Sequence, residues 1–138
     1  MKNMMAALFA LFISACSYKM TVTANYNSSG VPVFSITAPR VLTLRPSPSI
    51  REVLVFEVIA GQIKKDNPLW RISSSSKYLS EITYGVVPRG FEQKIPPATL
   101  EVGKSYEVLV MGSGGVGGIG FTLEPKNSFE IYPVPISS

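Results

Sequence analysis

From Lys19 onward the chain never sustains a helical period. Short runs rich in Val, Ile, Thr, Phe and Tyr alternate with clusters of Gly, Pro, Ser and Asn. Side chains that repeat every second residue between turn-forming clusters belong to strands, so this pattern restricts the chain to an all-β architecture. No internal repeat is visible, and the length suits one domain with a core large enough to hold itself together.

Lys19 to Tyr26 is expected to form a first strand, ended by Asn27-Ser-Ser-Gly30. A second follows over Val31 to Thr37, weakened by Pro32, and a third over Arg40 to Leu44. Pro46-Ser-Pro48-Ser49 forces an extended connection between strands. The strongest run is Ile50 to Ala60, with Val53, Val55 and Glu57 on one face and Leu54, Phe56 and Val58 on the other. A strand apolar on both faces belongs in the middle of a sheet. Lys64 to Pro68 turns the chain into Leu69-Trp70-Arg71-Ile72, whose alternation sets Trp70 and Ile72 opposite Arg71. Trp70 is read as a core anchor, the alternative being an exposed binding platform. Ser73 to Ser76 reads as a loop, and Leu79 to Val87 as a strand with Ile82 and Tyr84 inward and Glu81 and Thr83 outward. Pro88-Arg-Gly90 and Pro96-Pro97 punctuate a further loop from which Phe91 folds back onto the core.

Leu100, Gly103, Tyr106, Val108 and Val110 fit L-x-x-G-x-x-Y-x-V-x-V. This stretch resembles the part of fibronectin type III and related immunoglobulin-like domains where a loop enters the penultimate strand through a tyrosine corner. The resemblance implies an antiparallel β-sandwich of about seven to nine strands. It also implies that Tyr106 is the corner, its ring inside and its hydroxyl on backbone a few residues upstream, with Leu100 as its core partner. The match covers eleven residues, and strand material before Ile50 and after Ser128 departs from fibronectin spacing. The architecture is carried over; a binding function is not.

Gly112 to Gly120 contains G-x-G-x-x-G twice, from Gly112 and from Gly115, directly after a strand. A dinucleotide cradle also needs a helix facing the pyrophosphate, a following parallel strand and an acid about 20 residues on. Only 18 residues follow Gly120, with prolines at 125, 133 and 135, so no cofactor is expected. The run is read instead as a flexible hairpin loop before a strand over Phe121 to Leu123.

The front of the chain has another purpose. Lys2 and the α-amine supply positive charge, Met4 to Ile13 an apolar core of about ten residues, and small residues lead to Cys16. A transmembrane helix needs roughly 20 apolar residues, which this core does not reach. Ile13-Ser14-Ala15-Cys16 resembles the lipobox of bacterial lipoproteins. That resemblance implies a leader over 1–15 that is removed, diacylation of Cys16, and acylation of the new N-terminus. Residues 16–18 become a lipidated tether, and 19–138 a single β-sandwich domain. Ser17, where an aspartate favours inner-membrane retention in Gram-negative lipoproteins, implies sorting to the outer membrane.

Loss of residues 1–15 leaves 123 residues with 12 Lys and Arg against nine acids, a net +3 spread along the chain. Such an excess suits solubility and anionic lipid headgroups, and gives no nucleic-acid footprint. With one cysteine and no histidine, the chain offers no disulfide, no Ser-His or Cys-His nucleophile and no histidine metal site. No catalytic, cofactor-binding or metal residue is therefore expected, and lipidation at Cys16 is the only site assigned. Paired carboxylates, Glu81 with Glu92 or Glu101 with Glu107, remain formally able to act together. The expected function is that of a non-catalytic binding or assembly module of the bacterial envelope, held to the membrane by its anchor and facing a protein or glycan partner. The alternatives are a structural spacer lipoprotein and a carboxylate hydrolase of envelope polymers.

Overall fold

The computed structural model describes residues 18–39, 48–123 and 125. The strands are β1 Tyr18–Lys19, β2 Thr21–Tyr26, β3 Pro32–Thr37, β4 Ser49–Ile59, β5 Gln62–Ile63, β6 Trp70–Tyr78, β7 Glu81–Thr83, β8 Phe91–Ile95, β9 Ser105–Gly112 and β10 Gly115–Thr122. There is no helix among the described residues. A large sheet has the order β1-β10-β9-β4-β6-β8, with β5 folded against β4, and a small sheet has the order β2-β3-β7. One core draws on both: Val53, Val55, Trp70, Ile72, Tyr106, Val108, Val110 and Phe121 from the large sheet meet Val22, Phe34, Ile36 and Ile82 from the small one. Two sheets burying their facing sides against each other are consistent with a β-sandwich.

The expected central strand is central. Strand β4 pairs with β9 on one side and β6 on the other. Its two-sided apolar pattern is matched by burial on both faces, with Val53 and Val55 in the core and Leu54 and Phe56 buried outside the core cluster. Ile50 is in the core as well, although it stands three positions before Val53, an odd step in a strand. A bulge explains this: the two steps from Ile50 to Glu52 match the single step from Gly112 to Met111 on β9, so the alternation restarts.

Several expectations need correction. The first strand is two: β1 pairs in parallel with β10, Met20 is buried as the chain crosses, and β2 belongs to the other sheet. The architecture is therefore mixed, not purely antiparallel. Ser73 to Ser76 is no loop but the bulged middle of β6. There the Ser74 hydroxyl donates to the Ile50 carbonyl at 2.7 Å and accepts from the Ser76 amide at 3.1 Å, while Ser76 takes a left-handed φ of 88°. Serine hydroxyls that bond nearby backbone give loop-like composition to a distorted strand. Strand β7 is shorter than the expected run to Val87. Gly85, at φ 78°, and a bond from the Val86 amide to the Thr83 carbonyl turn the chain and leave Val86 and Val87 exposed. The expected loop before Pro96 contains β8, an edge strand of charged composition, and Phe91 does pack on the core. The stretches over Arg40 to Leu44 and beyond Ser128 lie outside the described residues.

Tyr106 has the expected corner geometry. Its ring is buried, and its hydroxyl accepts from the Glu101 amide at 2.8 Å while facing the Glu101 carbonyl at 3.4 Å; Leu100 packs against the core. Tyr106→Phe keeps the ring and orphans the Glu101 amide. Urea denaturation should show a loss of about 1–2 kcal/mol; an unchanged midpoint would mean that water replaces the hydroxyl.

Candidate functional site

The strand order gives the molecule two ends. At one, the tether end, lie Tyr18, the β9–β10 turn, the start of β4 and the finish of β6. This follows from pairings of Tyr18 with Gly115, Ile50 with Gly112 and Ser49 with Tyr78. At the other, the corner end, lie Glu101 to Ser105, the Asn27 turn and the β4–β5 turn. Cys16 itself lies outside the described residues, but only Ser17 separates it from β1. A single-residue spacer holds any group on Cys16 close to the tether end.

The glycine run is a strand, not the expected hairpin loop. Only Ser113 and Gly114 turn the chain; Gly115 to Thr122 is strand, and Val116 to Thr122 pairs along β9. Gly112, Gly115 and Gly117 are required by packing. A side chain at Gly115 would press on the Tyr18 ring at 2.7 Å, one at Gly117 would overlap the Met20 backbone, and one at Gly112 would meet the Ser49 carbonyl. The strand-to-helix turn that a phosphate cradle requires is replaced here by strand, turn and strand. On the outer side the missing side chains leave an open depression of about 730 Å³, comparable with small-molecule pockets in size but not in enclosure. Leu109 lies on its floor, with Lys19, Glu107 and Val116 around it.

At the corner end an apolar cleft of about 330 Å³ is lined by Val31, Pro32, Tyr84, Pro97, Leu100 and Leu123. The Tyr84 ring meets Trp70 edge-on at 5.2 Å, and its hydroxyl donates to the Ala98 carbonyl at 2.7 Å. Burial, helped by the nearby Tyr106, pushes the Tyr84 phenol up to about 12. This phenol is therefore a proton holder, not a base. Above pH 10 the unfolded chain releases a proton that the folded chain keeps, so stability is complete below pH 10 and declines toward pH 12. The loss should be at most about 2 kcal/mol between about pH 9 and pH 12. Denaturation at both pH values, compared with Tyr84→Phe, isolates this contribution, and an identical decline in the variant would refute it.

The acids do not form the pairs that the sequence left open. Glu81 is on the small sheet and Glu92 on β8 of the large one, where Lys94 bonds it at 2.9 Å. Glu107 faces the depression, whereas Glu101 bonds Lys104 at the corner end. Two carboxylates do meet around one cation: Lys104 bonds Glu101 and lies 3.6 Å from Glu57, and both acids raise its pKa, Glu101 more. Sequence spacing could not show this convergence, because Glu57 and Lys104 come together only through the register of β4 with β9. The exposed ammonium between them makes it a surface ion-pair network. Glu52 is likewise bonded to Arg71. Among the described residues no three His, Cys, Asp or Glu side chains converge to hold a metal ion. Comparison with protein-family models, curated proteins and solved structures found no match for this chain.

Proposed function

We propose that this chain is a lipid-anchored, immunoglobulin-like β-sandwich of the bacterial outer membrane that works as a binding or assembly module without catalysis. The observation that carries this reading is the Ile13-Ser14-Ala15-Cys16 lipobox placed one residue before the first strand. The Tyr106 hydroxyl bond to Glu101 supports the immunoglobulin-like assignment, since that bond closes the sandwich end in those domains. Two or three acyl chains on Cys16 hold a protein stably where one holds it marginally, at about 0.8 kcal/mol per buried methylene. From Cys16 to Tyr18 the backbone reaches only about 7 Å, so the domain is held against the bilayer and meets partners within that layer.

Cys16→Ala tests the anchor. The wild-type chain is expected in the membrane fraction and the variant in the soluble fraction, with acylation read by intact mass. Retention of the variant in membranes would refute the anchor. Crosslinking in cells then tests the module: a recurrent envelope protein or glycan adduct supports it, and its absence leaves the spacer role.

A further inference from the structure

The described cations without an ion pair are concentrated at one end. Arg71, Lys94 and Lys104 are each bonded to acids. Lys19, Arg51, Lys77 and Arg89 are exposed and make no ion pair among the described residues, and the same holds for Lys64 and Lys65 just after β5. The first four belong to the tether end, whereas Lys64 and Lys65 lie at the corner end next to the exposed acid Asp66. Lys19 is in β1, Arg51 is at the bulge near the start of β4, and Lys77 pairs with Ile50. Arg89 precedes Gly90, whose Cα faces the Lys77 stem. Tyr78, 57 % exposed, ends β6 beside them. Glu81 is the one exposed acid at this end that no described cation bonds.

The geometry points to a membrane-docking surface: we infer that the tether end binds the anionic headgroups of the bilayer in which Cys16 is anchored. The inference rests on the anchor reading above and adds an orientation to it. A cation beside an anionic leaflet strengthens partitioning about fivefold, and that gain decays within a Debye length of about 10 Å. A tether this short keeps Lys19 inside that distance, and Arg51, Lys77 and Arg89 enter the same layer when the whole end lies flat on the bilayer, β6 being four strands, roughly 19 Å, from β1. Tyr78 suits the same boundary, with an apolar ring and a polar tip. Docking this end leaves the corner end, with its apolar cleft, facing away from the membrane.

The test uses the acylated full protein reconstituted in vesicles. Because the native thiol is acylated, Ser80→Cys at the tether end and Asn67→Cys at the corner end can each be labelled with a fluorophore. A lipid carrying a chelated nickel headgroup serves as quencher. In vesicles containing phosphatidylglycerol, quenching at position 80 should exceed that at 67 by at least about threefold. The excess should shrink in phosphatidylcholine vesicles, in about 0.5 M salt, and in the triple variant Lys19→Gln, Lys77→Gln, Arg89→Gln, whose fold is checked by Trp70 fluorescence. Equal quenching at the two positions, or an excess indifferent to lipid charge, overturns the inference. Intact mass of the same samples separates the two failures. An acylated protein with no preferred orientation overturns the docking surface alone, and a chain without acyl groups overturns the anchor as well.

Discussion

Trp70→Ala should remove about 3–5 kcal/mol of stability, the largest loss expected from any single truncation in this chain. Trp70 is fully buried at the start of β6, its ring meets Tyr84 edge-on, and its indole nitrogen donates to Gln93 at 3.4 Å. It therefore ties β6 to β8 in the large sheet and to the wall of the corner-end cleft. Deleting it removes the transfer energy of the largest core side chain and leaves a void that neighbours from two sheets cannot both collapse into. A domain of this size has roughly 5–15 kcal/mol in all, and with its only cysteine at position 16 it has no internal crosslink in reserve. Urea denaturation followed by circular dichroism should show the midpoint falling by at least about 1 M. Trp70→Phe, which keeps an aromatic partner for Tyr84, should lose less than half as much. If alanine costs under about 1 kcal/mol, the side chain does not occupy the core.

What could be read in advance followed the reach of each signal. Alternation over Val53 to Phe56 identified β4 and its central place because burial on both faces leaves a mark on every residue. Tyr106 was legible because a corner is local: hydroxyl and acceptor are five residues apart. Features set by distant chain were not legible. The switch of β1 to β2 between sheets depends on β10, about a hundred residues away, and nothing in Tyr18-Lys19-Met20 announces it. The serines of β6 and the charged residues of β8 read as loops in the sequence because bulged and edge strands borrow loop composition. At the candidate site the cations are ordinary in sequence. Only the strand order brings Lys19, Arg51, Lys77 and Arg89 to one end.

The glycine run shows the same limit most sharply, and Gly117→Ala tests it. A flexible loop would accept a methyl group at any of its glycines, whereas the packing makes a different demand at each. At Gly117 the new carbon would overlap the Met20 carbonyl oxygen and stand 2.9 Å from the Met20 Cβ, closer than real side chains approach. The obstacle includes backbone, so a rotamer change cannot relieve it. The chain at Met20 must lift away, weakening the bonds from the Tyr18 amide to Gly114 and from the Met20 amide to Val116, both 2.9 Å, and unseating a core methionine. The expected loss is about 2–4 kcal/mol, with faster hydrogen exchange at Tyr18 and Met20. Gly120→Ala is the control, because its new carbon would lie 3.7 Å from the Tyr106 carbonyl in ordinary contact. That substitution should change stability by no more than about 0.5 kcal/mol. Equal tolerance at the two positions would return the run to a loop. A selective loss at Gly117 would instead mean that the glycines keep β1 seated: once β1 is released, the free segment after Cys16 runs to β2 instead of β1, and its reach grows from about 7 Å to about 17 Å. On the anchor and docking surface proposed above, the cations at that end would then no longer be confined to the headgroup layer, so a methyl group on β10 should also weaken the lipid-charge dependence of the domain's orientation.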